Sequence, residues 1–307
     1  MERNPDLGRI DGIANDFSRD TTLELLRRMS LSRWFELKTH EVYDTGVIHA
    51  PIYLSFGQEA VAAALSLVFR EEQPDIFAQH RAHDFYLCYG GEPVALIDEL
   101  LGLSTGCAQG MGGSASIHSP AIKMHGHDGL MGSQIPIAVG FTLRKTRVGD
   151  SSPTLAVMGD ASAEEDYVSS SLGYASTKKL PILFVCLDNG LSVLTPIELR
   201  RNWSMVDLAE AYKMPAVEIA DDPWLVMHQV LRLKNQLPAL LNIQVCRGSS
   251  HAGTRKDNYQ EPAWNRFELM KSTLEELGFI GAAEAIDARI KVEVSRLWDK
   301  RLAEVKK

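Results

Sequence analysis

Two short polar turns carry the side chains best suited to bind a cation. The apolar runs 155–158 and 182–185 each lead into such a turn, the first containing Gly159 and Asp160 and the second Asn189. Short continuous apolar runs are typical of parallel strands that helices cover on both faces, and the segment between these two is long enough for a helix. Because neighbouring parallel strands end at the same edge of a sheet, the oxygens of Asp160 and Asn189 would lie side by side. These oxygens suit a small hard cation and the diphosphate that it neutralises.

Histidines and arginines form a second group of candidates. His80, Arg81 and His83 stand close together. Such a cluster is often a solvated loop, but a guanidinium such as that of Arg81 can grip a phosphate with two hydrogen bonds. Arg247 and His251 lie in a long polar loop after the last predicted strand, where catalytic groups are common. A lone histidine in such a loop is more often solvated, so both interpretations of His251 stay open at this point.

Two glycine-rich stretches, 106–114 and 125–134, predict loops. The first fits neither the G-x-G-x-x-G nor the Walker A pattern, so a nicotinamide-binding motif is poorly supported. It is either a flexible loop or a loop whose backbone approaches a ligand closely, which glycine permits. His125 and His127, in the second stretch, lack partners at zinc-binding spacing, which favours a surface or loop role.

The elements that must position these residues predict an α/β fold, a doubly wound and mostly parallel sheet with N- and C-terminal helical extensions. Besides the two apolar runs, the pattern predicts strands at Pro215–Ile219 and Ala239–Val245. Helices are predicted at helical apolar spacing in Thr21–Leu37 (after a Thr cap), 60–69, Val94–Leu103, 135–145, Met205–Tyr212 and Pro223–Leu237. The segment Leu194–Trp203 is predicted to be a loop.

No internal repeat, low-complexity region or linker divides the 307 residues, which predicts a single domain over 1–307. Within it, residues 1–20 form a polar lead-in and residues 264–307 a helical C-terminal extension. The net charge of -8 gives no support for nucleic-acid binding. No apolar stretch is long enough for a membrane span, and Cys186 and Cys246 lie in apolar runs typical of buried free thiols. A cytoplasmic location is therefore expected.

Five motifs in order make the chain similar to a known family from about residue 20 to the end. Gly57–Ala60 resembles a GQEA helix start, and His80–His83 resembles a Tyr-Arg-x-His element. Gly106–Ser114 resembles a GCAxGxGGS loop, and Gly129–Pro136 a glycine-rich turn before Gln-hydrophobic-Pro. The segment 159–189 resembles the thiamine motif, GDG with a spacer and Asn-Asn. The chain thus resembles the alpha subunit of thiamine-diphosphate-dependent 2-oxo acid dehydrogenases, the decarboxylating component of the pyruvate and branched-chain complexes.

The resemblance implies a thiamine diphosphate and Mg²⁺ site. The side chains of Asp160 and Asn189 and the backbone carbonyl of Leu191 would hold the metal. Arg81 would hold the diphosphate. Other expected cofactor contacts are the backbone of Gly129, Met131 (which would prop the cofactor into its bent shape), Gly159, Ala161, Ser162 and His251.

The resemblance also implies two catalytic histidines. His251 follows Arg247 as the family's active-site histidine follows its arginine, and it would give a proton or hydrogen bond to the substrate oxygen. His80 takes the position of a family tyrosine that touches the cofactor. Tyr53, Phe56 and Met131 suggest an apolar pocket lining.

Four positions depart from the family pattern. Ala161 replaces the motif glycine and adds a methyl group near the diphosphate. Asp188 and Leu191 replace the commoner Asn and Tyr, although a backbone carbonyl ligand is indifferent to its side chain. Ala252 stands where kinase-regulated members have serine, which excludes phosphorylation at that position.

The function that the resemblance implies is oxidative decarboxylation of a small 2-oxo acid, with transfer of the acyl group to a lipoyl group on a partner acyltransferase. The family keeps its activating glutamate on a beta chain, so an assembly of two alpha and two beta chains is expected. No nucleic-acid or membrane partner is expected. The alternatives are a split transketolase-like ligase or acetoin-cleaving subunit, and a non-catalytic scaffold subunit.

Overall fold

The computed structural model describes residues 3–126, 129–255 and 262–305. Its eight strands are β1 (Asp75–Ala78), β2 (Met124–His125), β3 (Thr154–Gly159), β4 (Ile182–Asp188), β5 (Leu191–Ser192), β6 (Thr195–Pro196), β7 (Ala216–Ala220) and β8 (Ala239–Gln244). Its ten α-helices are α1 (Arg19–Asp44), α2 (Glu59–Val68), α3 (His83–Cys88), α4 (Pro93–Leu100), α5 (Gln134–Arg147), α6 (Asp166–Lys178), α7 (Met205–Ala211), α8 (Pro223–Leu233), α9 (Arg266–Glu276) and α10 (Ile280–Val305). The counts refer to these described ranges.

A six-stranded sheet forms the centre of the fold, in the order β2-β1-β3-β4-β8-β7, and all its strand pairs are parallel. Along β3 and β4 successive side chains enter opposite cores. Leu155 and Val185 lie in one core with α1, α2 and α8, whereas Ala156 and Phe184 lie in the other with α5, α6 and α7. Each fully buried large apolar side chain contributes about 1.5–3 kcal/mol, so both faces stabilise the sheet. The predicted doubly wound α/β fold is confirmed.

The chain changes its winding direction between β1 and β3. The helix after β1, α3, packs into the first core through Phe85, whereas the helix after β3, α6, packs into the second core through Leu172. The loops that leave the carboxyl ends of these two strands therefore diverge and leave a crevice. In open α/β sheets ligands bind at such a point.

Most predicted elements are present with shifted ends. The stretch 75–89 carries the cluster of His80, Arg81 and His83, for which a solvated loop was one of two interpretations. It contains β1 and α3, and both elements are buried along their whole length. A four-residue strand is too short for its apolar residues to show a periodic pattern. The predicted loop Leu194–Trp203 begins with β6, which pairs with β5 in a small antiparallel hairpin.

The N-terminal segment is more ordered than its polar sequence predicts. The Leu7 carbonyl accepts a hydrogen bond of 2.9 Å from the backbone N–H of Ala220, and the Asn4 N–H donates one of 2.9 Å to Gln244 Oε1. The predicted Thr cap of α1 is wrong, because Ser18 caps this helix by accepting a hydrogen bond from the Thr21 N–H.

The C-terminal extension consists of α9 and α10, separated at Gly278, which has a φ of 74°. The helix α10 packs along α1, where the rings of Trp298 and Phe35 lie 5.9 Å apart and Trp34 donates a 2.6 Å hydrogen bond to Asp287. The assignment of 1–307 to one domain stays a prediction. Of the helices described, none is long and apolar enough to cross a membrane.

Candidate active site

A cavity of about 310 Å³ lies at the carboxyl edge of the sheet, where β1, β3 and β4 end. All the side chains predicted to bind cofactor or metal, or to act in catalysis, are among the residues that line it. They are His80, Arg81, Gly129, Met131, Gly159, Asp160, Ala161, Ser162, Asn189, Leu191 and His251. The individual roles of these residues stay predictions, but their convergence on one cavity is a geometric fact.

The end of β3 places Asp160 in the cavity wall, with only 1% of its surface exposed. Its Oδ2 accepts a short hydrogen bond from Arg200 Nη2. Burial raises the pKa of Asp160 to about 6, and the charge of Asp188 also raises it, whereas Arg200 opposes both effects. The negative charges of Asp160 and Asp188 lie close together in a buried region, and this arrangement favours the binding of a cation.

The end of β4 forms the second part of the proposed metal site. Since Gly159 pairs with Leu187 across the two strands, the turns after β3 and β4 stand beside each other. Asn189 Oδ1 accepts a hydrogen bond of 3.1 Å from the Leu191 N–H, and Asp188 Oδ1 accepts one of 2.9 Å from the Gly190 N–H. These bonds fix the turn that carries the Asn189 side chain and the Leu191 carbonyl.

The donor atoms at these two ends fit a magnesium ion. A carboxylate, an amide oxygen and a backbone carbonyl are hard oxygen ligands, and Mg²⁺ normally fills the rest of its octahedron with phosphate oxygens and water. Among the described residues, no three His, Cys, Asp or Glu side chains are grouped to hold a metal. A metal bound here would therefore depend on ligands beyond carboxylates and imidazoles, as a site completed by diphosphate does.

Arg81 and His251 are neighbours in the lining of the cavity. Arg81 is 5% exposed and donates hydrogen bonds to the carbonyls of Leu54 (2.5 Å) and His251 (3.1 Å). Burial lowers the pKa of His251, and the positive charges of Arg81 and Arg247 lower it further. Both effects favour the neutral form of the His251 imidazole, in which one ring nitrogen donates a hydrogen bond and the other accepts one.

Three rings form one wall of the cavity. The ring centroids of Tyr53 and His80 are 4.7 Å apart, those of His80 and His251 are 5.3 Å apart, and those of Tyr53 and His251 are 5.6 Å apart. The two histidines predicted to be catalytic are thus neighbours. A substrate bound in the cavity would meet both.

Gln79 is a residue of this site that the sequence reasoning missed. Its Oε1 accepts hydrogen bonds of 2.8 Å from the Gly132 N–H and from Ser162 Oγ, and its Nε2 donates one of 2.8 Å to the Leu130 carbonyl. It therefore joins β1, β3 and the glycine-rich turn that carries Met131. Its place directly after the strand was the available signal, but the strand itself was not predicted.

The backbone and the exposure of three cavity residues bear on their predicted roles. Ala161 adopts a φ of -71°, so its backbone conformation does not require the glycine of the family motif. Met131 is 43% exposed and lines the cavity, so it does not simply fill the core. Gly129 has a φ of 90°, a value that only glycine adopts readily.

The glycine-rich loop 106–114 surrounds a carboxylate of the protein itself. Glu99 is 1% exposed, and its two oxygens accept hydrogen bonds of 2.7–2.9 Å from backbone N–H groups. The donors are Ala108, Gly110, Gly112 and Gly113. A Cβ at Gly106 would lie 2.5 Å from Glu99 Oε2, which explains the glycine there. The backbone of this loop therefore closely approaches the buried side chain of Glu99. These hydrogen bonds fix the loop, so it is not the flexible loop that its composition also allowed.

His83 and His125 have structural surroundings. His83 is fully buried between Glu36 Oε1 (3.0 Å) and Ser114 Oγ (2.9 Å), so it connects α1 to the glycine-rich loop. The His125 ring stacks on Phe77 at 4.4 Å, and its Nε2 lies 3.0 Å from Asp75 Oδ1. His127 lies outside the described residues.

Comparison with known proteins gives one consistent result. The family model described as "Dehydrogenase E1 component" matches residues 27–276. The chain is 33% identical over 180 residues to the pyruvate dehydrogenase E1 component subunit alpha of Zymomonas mobilis subsp. mobilis. The aligned residues cover 59% of this chain and 51% of the relative. It is 25% identical over 251 residues to the protein of the same name from Rickettsia bellii, covering 79% and 76% of the two chains.

A third relative is the mitochondrial pyruvate dehydrogenase E1 component subunit alpha-1 of Oryza sativa subsp. japonica. It is 30% identical over 178 residues, which cover 56% of this chain and 45% of the relative. The matched segments span about half the length of the Zymomonas and Oryza relatives. The resemblance that the five motifs indicate is confirmed, because the family match spans most of the chain and contains all five motifs. The chain belongs to the dehydrogenase E1 component family.

Proposed function

We propose that this chain is the alpha subunit of a thiamine-diphosphate-dependent 2-oxo acid dehydrogenase. The observation that carries the proposal is the single cavity in which Asp160, Asn189, Arg81 and His251 meet. Family membership supports the cofactor, and the names of the relatives support a 2-oxo acid such as pyruvate. We further propose that Mg²⁺ accompanies the cofactor and that a lipoyl group on an acyltransferase receives the acyl product.

We assign each of these side chains a role that fits its position in the cavity. Asp160, Asn189 and the Leu191 carbonyl would hold Mg²⁺, and Arg81 would neutralise the diphosphate. Thiamine diphosphate, when bound, supplies the nucleophilic carbon and the electron sink for decarboxylation. His251, next to His80, would hold the substrate oxygen by a hydrogen bond and exchange a proton with it.

The cavity lacks one group that the proposed chemistry needs. Among the described residues that line it, Asp160 is the only one with a carboxylate. The oxygens of that carboxylate are assigned to the metal. The cofactor's aminopyrimidine ring needs a second carboxylate, which we assign to a beta chain. The exposed apolar side chains Leu130, Met131, Val193 and Leu194 are 65%, 43%, 50% and 76% accessible, and they offer that chain a surface near the cavity.

The test uses the chain alone and coexpressed with its beta partner, with thiamine diphosphate and Mg²⁺. Decarboxylation of pyruvate and of branched 2-oxo acids is measured with an artificial electron acceptor, and reduction of a lipoyl domain is measured separately. The assembly should catalyse both reactions and the chain alone neither. Full activity of the isolated chain would contradict the assignment of the missing carboxylate to a partner.

Binding of the cofactor is tested by calorimetry on the same assembly. Asp160→Ala should abolish binding, whereas the matched control Asp150→Ala, at an exposed position, should leave it unchanged. Carbon–carbon bond formation without lipoyl reduction would favour the split ligase or acetoin-cleaving alternative. No cofactor binding by the complete assembly would favour a scaffold subunit.

A further inference from the structure

An arginine holds the carboxylate that the proposed metal needs. Arg200 Nη2 pairs with Asp160 Oδ2, and Arg200 Nη1 lies 2.5 Å from Glu164 Oε1, so one guanidinium bridges two acids. Asp160 and the Arg200 side chain are both largely buried, with 2% and 10% of their side-chain surfaces exposed. We call this arrangement the Arg200 bridge. Of its three residues, Asp160 lines the cavity, whereas Arg200 and Glu164 are not among the lining residues.

A guanidinium and a divalent cation compete for the negative charge of the Asp160 carboxylate. Two positive charges on one buried carboxylate repel each other strongly, because the surrounding protein screens charge poorly. Metal ligation by Asp160 therefore weakens or breaks its bond to Arg200. Without a metal, the same bond compensates the charge of a carboxylate that burial would otherwise leave unpaired.

Glu164 offers the guanidinium a second place. It is more exposed than Asp160, with 23% of its side chain accessible, and its Oε1 already pairs with Arg200 Nη1 and lies 3.6 Å from Arg201 Nε. Arg200 Nε is buried and has no hydrogen-bond partner among the described residues, so the Arg200 bridge does not use all its donors. A small rotation toward Glu164 would keep a charge-assisted hydrogen bond while releasing Asp160.

Arg200 also belongs to the segment that carries a predicted metal ligand. Leu191 pairs with Pro196 in the β5–β6 hairpin, and the Ile197 N–H donates a 2.9 Å hydrogen bond to the Gly190 carbonyl. The Arg200 N–H in turn donates one of 2.9 Å to the Ile197 carbonyl. Residues 190–200 thus form one compact unit that connects the metal turn to the Arg200 bridge.

We propose that the Arg200 guanidinium forms an ion pair with Asp160 when no divalent cation is bound. When a divalent cation binds to Asp160, the guanidinium shifts toward Glu164. This role rests on the proposed function, because it takes Asp160 as a metal ligand. It assigns Arg200 and Glu164 as positioning residues that set the metal affinity of the site. Neither residue needs to touch the substrate.

The test measures Mn²⁺ binding to the alpha–beta assembly with saturating thiamine diphosphate, by the electron paramagnetic resonance signal of free Mn²⁺. Arg200→Gln should tighten Mn²⁺ binding by about tenfold, within the usual range for two groups coupled at one site. Glu164→Gln should weaken Mn²⁺ binding, because Asp160 is then the only carboxylate of the Arg200 bridge with which the Arg200 guanidinium can pair. Arg232→Gln, an exposed arginine on α8, is the matched control and should change nothing.

The double variant separates this competition from simple loss of charge. If Glu164 acts through Arg200 and not through Arg201, whose Nε lies 3.6 Å from the same Glu164 oxygen, then adding Glu164→Gln to Arg200→Gln should cause no weakening, as a double-mutant cycle would show. In thermal unfolding without metal, Arg200→Gln should be less stable than wild type and should regain stability as Mn²⁺ is added. That readout does not depend on enzyme activity.

The outcomes distinguish this proposal from the proposed function. Weaker or unchanged Mn²⁺ binding in Arg200→Gln, with normal binding in the wild type, overturns the role of Arg200 alone. No Mn²⁺ binding by the wild-type assembly, or equal binding after Asp160→Ala, overturns the metal site and this proposal together. Tighter binding in Arg200→Gln with weaker binding in Glu164→Gln supports both.

Discussion

His251 lies beside the rings of Tyr53 and His80 and near two arginines, and we propose that it is a catalytic side chain. Its replacement by Asn keeps a hydrogen-bonding side chain but removes proton exchange. We expect His251→Asn to lower turnover of the alpha–beta assembly by about 10²–10⁴-fold, the usual contribution of general acid–base groups. Steady-state rates with an artificial electron acceptor would measure this loss. His228→Asn, half-buried on α8 and outside the cavity lining, is the control and should keep full activity.

The charge state of His251 gives a second prediction at this scale. Burial, Arg81 and Arg247 all lower its pKa, and Arg247 is itself 2% exposed, so its charge is poorly screened. Arg247→Met should therefore raise the pKa of His251, and the acid side of the pH–rate profile should move to higher pH. A nuclear magnetic resonance titration of the imidazole would measure the shift. Arg255→Met removes an exposed charge nearby and should move the pKa much less.

Residues that carry chemistry in their own type and local spacing were predictable, whereas their partners across the chain were not. Asp160 and Asn189 each follow an apolar run, and that pattern alone places them at one sheet edge. Gln79 also follows a strand, but that strand is too short to show a pattern, and Arg200 owes its position to contacts with a distant segment. One sequence contains no information on which carboxylate a given arginine will pair with.

At the scale of elements, the glycine-rich loop depends on the helix that precedes it. The two carboxylate oxygens of Glu99, at the end of α4, accept hydrogen bonds from four backbone N–H groups. Glu99→Gln replaces one acceptor oxygen by an amide N–H₂ group that would face backbone donors. We expect a loss of at least about 3 kcal/mol in the free energy of unfolding, since hydrogen bonds to buried charges are strong and unmade ones are costly.

Urea unfolding at neutral pH would measure this loss for Glu99→Gln. Glu71→Gln, at an exposed position, is the matched control and should change the stability by less than about 0.5 kcal/mol. If Glu99→Gln unfolds like the control, then the loop owes its conformation to its glycines and neighbours. The composition predicted a loop here but could not show what fills it, because glycines that approach a ligand and glycines that approach a buried carboxylate look alike in sequence.

At the scale of the whole molecule, the N-terminal segment and the start of the C-terminal extension meet near the carboxyl edge of the sheet. Arg266 Nε, at the start of α9, lies 2.6 Å from Asp221 Oδ1 just after β7, and Arg266 Nη2 also bonds the Pro5 carbonyl. Arg3 stacks over Trp264 with 4.4 Å between its guanidinium carbon and the ring centroid. The sequence predicted a lead-in here because apolar periodicity is absent, but polar contacts order this segment without such a pattern.

Asp221 makes this junction sensitive to pH. It is fully buried, and burial raises its pKa to about 6 although Arg266 opposes the rise. The native state therefore binds this proton more tightly than the unfolded state, whose aspartates titrate near pH 4. Between about pH 4 and pH 6 the contribution of Asp221 to stability falls as pH rises, by up to about 1.4 kcal/mol per pH unit. Asp221→Asn removes the titrating group, so the variant should gain stability relative to wild type across this window. Urea unfolding at pH 4, 5, 6 and 7 would measure the difference, and a constant difference between the two proteins would contradict the raised pKa of Asp221.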